Sequence, residues 1–448
     1  MPKQHVIHEG GVKELAVLLF PIVLVSFSQC LFLFVEKLLL ARLSVEALEA
    51  AVSSSYVVMI FQAPCVALAM MAQVFVARHL GAGELKQIGP AIWQFIWFSL
   101  LSTVITIPGT LFFSEFYFQS TAINSIVKPY LYLLTAINFL FPLTAALSCF
   151  YLGRGKTKLL LWGTLAAQTT KLILAYLLIF GWKGIFPSYG LLGGALSTCI
   201  AQISFCTLLL IVFLNKKHQD AFHSFEWKLD LQKFWHYIQP GFMRASNRIL
   251  NFASWSAIAH LMVSKGGDYL LVMSIGGTYF MFLPFIGDAL CQAQITIVSR
   301  LLGANKHYLL DEAFNSGTKL LFFFIIIFAI PLLIFPEVLY SYLFPNVQLA
   351  KSSIISISIG IWLSFVFYSF SMLSVSYILA FKDMNFSFFM GLIGWVNGFL
   401  FMYMAIHYLF LPADQFWTVL SIAMHASTAI MYYIRMKVIQ TRNIPSLA

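Results

Sequence analysis

Charge is scarce in this sequence: Asp, Glu, Lys and Arg make up only 10% of its 448 residues, and just 17 are acidic. Soluble domains carry about a quarter charged residues, so a chain this poor in them needs lipid, not water, as its solvent. The six cysteines (Cys30, Cys65, Cys149, Cys199, Cys206 and Cys291) all lie in apolar stretches, with no CxxC pair and no histidine at metal-ligand spacing. They read as buried thiols, which removes a disulfide scaffold and a metal centre. GxGxxG, Walker, serine-triad and HExxH patterns are absent, so the sequence indicates no cofactor, no hydrolysis and no ATP-driven cycle carried by this chain alone. The opening stretch MPKQHVIHEGGVKEL is too polar for a signal-peptide core and the first apolar run is too long for one, so the first helix is expected to direct insertion itself.

What remains is hydrophobic: 60% of residues, with 17% aromatic, a mean hydropathy of +0.86 and a net charge of +10. The basic residues are spread through short segments between apolar runs instead of gathering on one module, which argues against nucleic acid as a partner. Charges punctuate the chain so regularly that twelve spans can be read from the gaps: 15–35, 50–77, 87–114, 129–153, 159–181, 189–215, 235–264, 269–299, 320–336, 352–381, 386–412 and 415–434. They lack the two-residue alternation of barrel strands, and in hydrocarbon only a helix or closed barrel satisfies the backbone, so an all-α integral membrane fold of twelve transmembrane helices is expected. Seventeen Lys and Arg, among them Lys3, Arg78, Arg154, Arg300 and Arg435, fall at the termini and in the even-numbered loops. The other loops hold five: Arg42, Lys128, Lys183, Lys265 and Lys351. The asymmetry puts both termini in the cytoplasm.

The segment Val76-Ala-Arg-His-Leu-Gly-Ala-Gly83 returns as Val298-Ser-Arg-Leu-Leu-Gly-Ala-Asn305, 222 residues later and half the chain away. Pro21 and Pro240, early in spans one and seven, echo each other, as do the loops beginning at Gly153 and Lys382. A duplicated six-span unit keeps one orientation, so two six-helix lobes related by pseudo-two-fold symmetry about the membrane normal are expected: residues 1–214, a cytoplasmic linker 215–233, and residues 234–448.

Taken together, LLFPIVLVSFSQCLFLFVEKLLLARLSVEALEA, VARHLGAGELKQI, YLGRGKTK, LILAYLLIFG with GLLGGALSTCIAQ, and VSRLLGANKHYLL give nearly the whole chain a pattern that resembles the MATE family, the multidrug and toxic compound extrusion transporters, within the larger group of lipid and polysaccharide flippases. The resemblance implies proton- or sodium-driven export of amphipathic compounds by rocking of two lobes. It also places a carboxylate late in span one, where this chain has Glu36, and a bending proline at Pro21. The family's asparagine and aspartate in span five fall on Lys171 and Ala175, its span-seven glutamate near Arg248, and its span-ten aspartate near Tyr368.

Charges inside spans are costly and mark function by default. Glu36 is the candidate for proton or sodium coupling; a fixed pair with Lys37 or Lys171 is the alternative. Lys171, in mid-span, needs a carboxylate, a carbonyl or a wet cleft. Arg244, Asn247, Arg248 and Asn251 share one helix face and suit a water-lined surface that could hold an anionic group. Asp288 is expected to form a structural ion pair with these arginines. Gln29 is a further cavity candidate, whereas Gln62, Gln73, Asn138, Gln168, Gln292, Gln294 and Asn397 suit helix packing, and His260 and His407 are lone histidines. Four intramembrane cations face two carboxylates, which suggests an anionic, zwitterionic or lipid-like substrate. The readings that stand are a gradient-driven exporter, a flippase for a lipid-linked or phosphate-bearing substrate, and, less supported, a membrane-embedded lipid enzyme or a channel. A monomer in a bacterial inner membrane, with the bilayer and a small-molecule substrate as its partners, is expected.

Overall fold

The computed structural model describes residues 8–118, 124–182, 187–280, 282–345, 347 and 349–443; Lys3 and Lys183 lie outside them. Among the described residues, nine helices are long and apolar enough to cross a membrane. The pair Asp268–Phe280 and Pro284–Gly303, bent by 41°, makes a tenth. Helix Leu231–Lys265 and the helical run from Phe416 to Asn443 occupy the two remaining expected spans. The first carries Arg244 and Arg248 and the second ends in Arg435, Lys437 and Arg442, which lowers their hydropathy without interrupting the backbone. The all-α membrane fold is therefore present.

By contact the chain divides into two compact units, one of residues 24–248 and one of residues 1–23 with 249–448. This differs from the expected boundaries at 214/215 and 233/234. The divisions fall inside helices: Val12–Leu43 begins in the second unit and continues in the first, and Leu231–Lys265 does the reverse. Continuous helices pass through Pro21 and Pro240 at these places.

Nor is 215–233 a bare linker. It contains helix Lys216–Phe222, capped by the Asn215 side chain, and it is stitched to helix Ile88–Leu101 within its own unit. The Trp93 indole donates to the Ser224 carbonyl at 2.7 Å, the Trp97 indole to that of Trp227 at 2.8 Å, and the Gln94 amide to that of Lys228 at 3.0 Å. The Arg154 guanidinium lies over the Phe150 and Phe222 rings at 4.5 and 4.1 Å and donates to His218 Nε2 at 3.2 Å. His218 Nδ1 in turn donates to the Val212 carbonyl at 2.7 Å, so the bonding selects a neutral imidazole. Burial pushes its pKa below the ordinary value; the Val212 bond opposes this and the Arg154 charge adds to it.

Four turns that follow helices share one design. Gly83, Gly155, Asn305 and Lys382 all have positive φ, between 56° and 76°. The next residue of each closes a wide bond: Glu84 N to His79 O, Lys156 N to Tyr151 O, Lys306 N to Leu301 O and Asp383 N to Ile378 O, all 2.8–3.0 Å. These are Schellman stops, which satisfy orphan carbonyls at a helix end. The repeat seen in the sequence is thus a repeat of helix termination. The second unit ties its loop cations into ion pairs, Glu14 with Arg300 and Glu9 with Lys306 at 2.5 Å, Lys437 with Asp311 at 2.6 Å and Arg435 with Asp383 at 2.8 Å. The bond to Lys306 holds the Glu9 carboxyl below its ordinary pKa.

Candidate functional site

In the unit of residues 24–248, helices Thr157–Phe180 and Leu191–Phe213 pack closely because Gly193 has no side chain: a Cβ there would collide with the Leu178 carbonyl and the Ile179 nitrogen. Their approach presents Lys171 and Thr198 to the first helix. The Lys171 ammonium donates to Glu36 Oε2 at 2.6 Å, and the Thr198 hydroxyl lies 3.4 Å from Glu36 Oε1. The Glu36 side chain is 9% exposed and that of Lys171 19%, so the pair is largely withdrawn from solvent. Beside it runs an apolar cluster that includes Leu39, Leu40, Tyr130, Ala175 and Ile179. Of the two cations weighed as partners, Lys171 is the one that meets Glu36; Lys37 is half-buried. Ala175 is fully buried and adds no charge. The result is one carboxylate held by one ammonium, where the resemblance implied a carboxylate in span one with an amide and a second acid in span five.

The other unit holds the second carboxylate. Gly287 lets helix Pro284–Gly303 approach helix Lys351–Ala380, since a Cβ there would stand 3.1 Å from Ser369 Cα and 3.3 Å from the Tyr368 ring. The Tyr368 hydroxyl then donates to Asp288 Oδ1 at 2.8 Å. Asp288 has no ion-pair partner among the described residues, and Arg244 and Arg248 belong to the other unit. On span ten, where the resemblance puts a carboxylate, Tyr368 is thus hydrogen-bonded to the carboxylate of Asp288 on span eight. Around it stand Phe280, with its ring 6.1 Å from Tyr368, Trp417, 5.5 Å from Phe280, and His425, 6.0 Å from Tyr368. His425 escaped the sequence reading. The signal was present, because an ionisable residue inside span 415–434 is itself a functional mark.

The polar face of helix Leu231–Lys265 is divided by the unit boundary after Arg248, with Asn251 on the far side of it. Arg244 is half-buried with its guanidinium 3.7 Å from the Met71 sulfur. Asn247 is half-buried, and Arg248 is exposed with no ion-pair partner among the described residues. Gln29 is exposed on the first helix. Among the described residues no three His, Cys, Asp or Glu gather in a way that could hold a metal.

A bundle of long apolar helices, with a buried Glu36–Lys171 pair in one compact unit and a half-buried Asp288 in the other, fits a membrane transporter. The family follows from comparison: the sequence model of the MatE family matches residues 21–177 and again 245–404, once in each half, so the chain belongs to the MATE family. A relative described as probable multidrug resistance protein NorM, from Thermotoga maritima, is 25% identical over 333 residues, covering 72% of this chain and 70% of its own length. Among solved structures, an outward-facing multidrug resistance MATE transporter of the MOP superfamily superposes with a TM-score of 0.85 at 16% identity, covering 96% of each chain. A MOP superfamily transporter from Pyrococcus furiosus, described as having a binding pocket of reverse polarity that suggests a different function, gives 0.83 at 15% identity, covering 97% of this chain and 96% of that one.

Proposed function

We propose that this chain is a secondary active exporter of amphipathic small molecules, driven by a proton or sodium gradient through alternating access, with Glu36 as the coupling group. The observation that carries the reading is the 2.6 Å contact between Lys171 and Glu36 in a nearly closed setting. Two cations, the ammonium and an incoming proton or sodium ion, compete there for one carboxylate. Occupancy by the incoming ion frees Lys171, whose charge must then be met by water or by an anion, and this links ion binding to the affinity of the surrounding space. Uptake into inverted vesicles under imposed proton and sodium gradients tests it. Glu36→Gln is expected to abolish gradient dependence, and gradient dependence unchanged in the mutant would remove Glu36 from the role.

A second reading, transport of an anionic, zwitterionic or lipid-linked substrate, is supported by the exposed Arg248, by the half-buried Arg244 and by the release of Lys171 described above. The Pyrococcus relative, whose pocket is described as reversed in polarity, offers a precedent within the same fold. Competition between an anionic and a cationic dye separates the readings, and selective export of the cation would exclude this one.

A further inference from the structure

Helices Thr103–Phe118 and Asn124–Ala136, the second half of span three and the first half of span four, both pack on helix Val45–Ala69 within the unit of residues 24–248. The first is seated there through Gly109, where a Cβ would stand 2.6 Å from the Phe61 ring. Between the two runs a cleft of about 750 Å³, walled by Ile107, Leu111, Phe112 and Phe116 on one side and by Tyr132 and Ala136 on the other. Clefts of about 300–1,000 Å³ are the usual size for small-molecule sites. The wall residues of each helix are three to five positions apart, so each helix gives one stripe and the cleft follows the helix axes. From Glu115 to Ile107 it extends about 12 Å. Phe112 and Phe116 are 81% and 76% exposed, and on a membrane-spanning helix an exposed apolar face of this kind looks into lipid.

The outer end of the cleft carries charge. Glu115 lines it, and the Lys128 ammonium lies 3.6 Å from the Glu115 carboxylate. That separation is too long for a hydrogen bond, and both side chains are exposed, at 68% for Glu115 and 43% for Lys128. A pair so loose and so wet holds little energy, which leaves each charge available to a better partner. One acid beside one base at the mouth of an apolar cleft complements a headgroup that itself carries an ammonium and a phosphate. We propose that this cleft binds a zwitterionic aminophospholipid of the surrounding bilayer, with an acyl chain between the two helices, the lipid ammonium on Glu115 and the phosphate on Lys128. Neither Glu36 nor Lys171 lines it. An anionic lipid without an amine would leave Glu115 unmatched and bring a like charge beside it, so the pair selects against such lipids.

No transport is read in the test, so failure of the proposed export leaves the site standing. The full chain, stripped of lipid in detergent, is offered equal amounts of phosphatidylethanolamine and phosphatidylglycerol with identical acyl chains, and bound lipid is counted by native mass spectrometry. Phosphatidylethanolamine is expected to be retained in excess by about fivefold. Ala136 is exposed, so Ala136→Phe fills the cleft without crowding the core; it should lower bound phosphatidylethanolamine by about the same factor. Glu115→Gln with Lys128→Gln should remove the preference between the two lipids. The exposed Ile326 belongs to the other unit, and Ile326→Phe should change nothing. Equal retention of both lipids by the unmutated chain, a preference that survives the double substitution, or an equal loss in Ile326→Phe would overturn the proposal. So would a dimer that Ala136→Phe abolishes, since the cleft would then hold a second copy of the chain. Should Ala136→Phe not fold, Ala136→Leu must lower bound phosphatidylethanolamine by roughly twofold or more; if it does not, the proposal falls.

Discussion

At the scale of single residues, the energetics of Glu36 and Lys171 are asymmetric. Removing one member of a buried ion pair strands the other, typically at about 3–5 kcal/mol, whereas replacing both by apolar or neutral groups costs far less. Lys171→Met is therefore expected to lower the thermal midpoint of the detergent-solubilised protein well below that of Lys171→Met with Glu36→Gln. Equal midpoints for the two would mean that the pair is not desolvated. This contact was legible in the sequence because charge is rare: a mid-span lysine has few carboxylates to choose from, and Glu36 was among those named. The bond between Asp288 and Tyr368 was not legible, for the opposite reason. The hydroxyl partner of Asp288 is one of 19 tyrosines, and although the resemblance singles out Tyr368 at the span-ten position, nothing in the chain pairs it with Asp288 until Gly287 brings the two helices together. Neither partner lies within one helical turn of the other in sequence.

Spans were read from charge punctuation and a helix occupies each, although Val12–Leu43 runs eight residues past its expected end and Leu310–Ala329 begins ten residues before its expected start. The irregularities inside them were not legible. The break at Ser102, the bend between Phe280 and Pro284 and the π-turns at Ile330–Ile334 and Ser421–Ala426 interrupt apolar runs whose hydropathy does not change. Such features arise from what packs alongside. Two substitutions probe this scale. Gly193→Ala places a methyl against backbone of the neighbouring helix and, as over-packing generally does, should cost about 1–3 kcal/mol; it should also weaken gradient-driven uptake by displacing Lys171 relative to Glu36. Lys382→Gly acts in the opposite sense. The left-handed conformation at φ 63° costs a side-chain-bearing residue about 1 kcal/mol that glycine does not incur. The variant should raise the thermal midpoint with transport unchanged, and a lower midpoint would count against the Schellman reading of that turn.

For the molecule as a whole, the polar stretch 215–233 misled because polarity usually marks a connection, whereas here the indoles of Trp93 and Trp97 capture its carbonyls and make it part of a unit. Its stability should depend on pH through His218. The folded pKa is depressed, so the unfolded segment binds more protons as the medium acidifies. Stability is then complete above the unfolded value of about 6.5 and is lost as pH falls. Backbone hydrogen exchange across residues 215–223, corrected for intrinsic rate, should be faster at about pH 5.5 than at about pH 7.5, and His218→Gln should erase the difference.

The division of helix Val12–Leu43 between two units also sets an order of events during synthesis. Glu14 leaves the ribosome well before its partner Arg300, which is made 286 residues later. At roughly 5–20 residues per second the wait is on the order of 15 to 60 seconds. Throughout that interval residues 12–23 sit in the bilayer without the neighbours they will finally have, so their surroundings are completed only after residues made much later. A nascent chain stalled before residue 249 should accordingly leave residues 12–23 open to cysteine-directed labelling, and extension beyond residue 303 should close them.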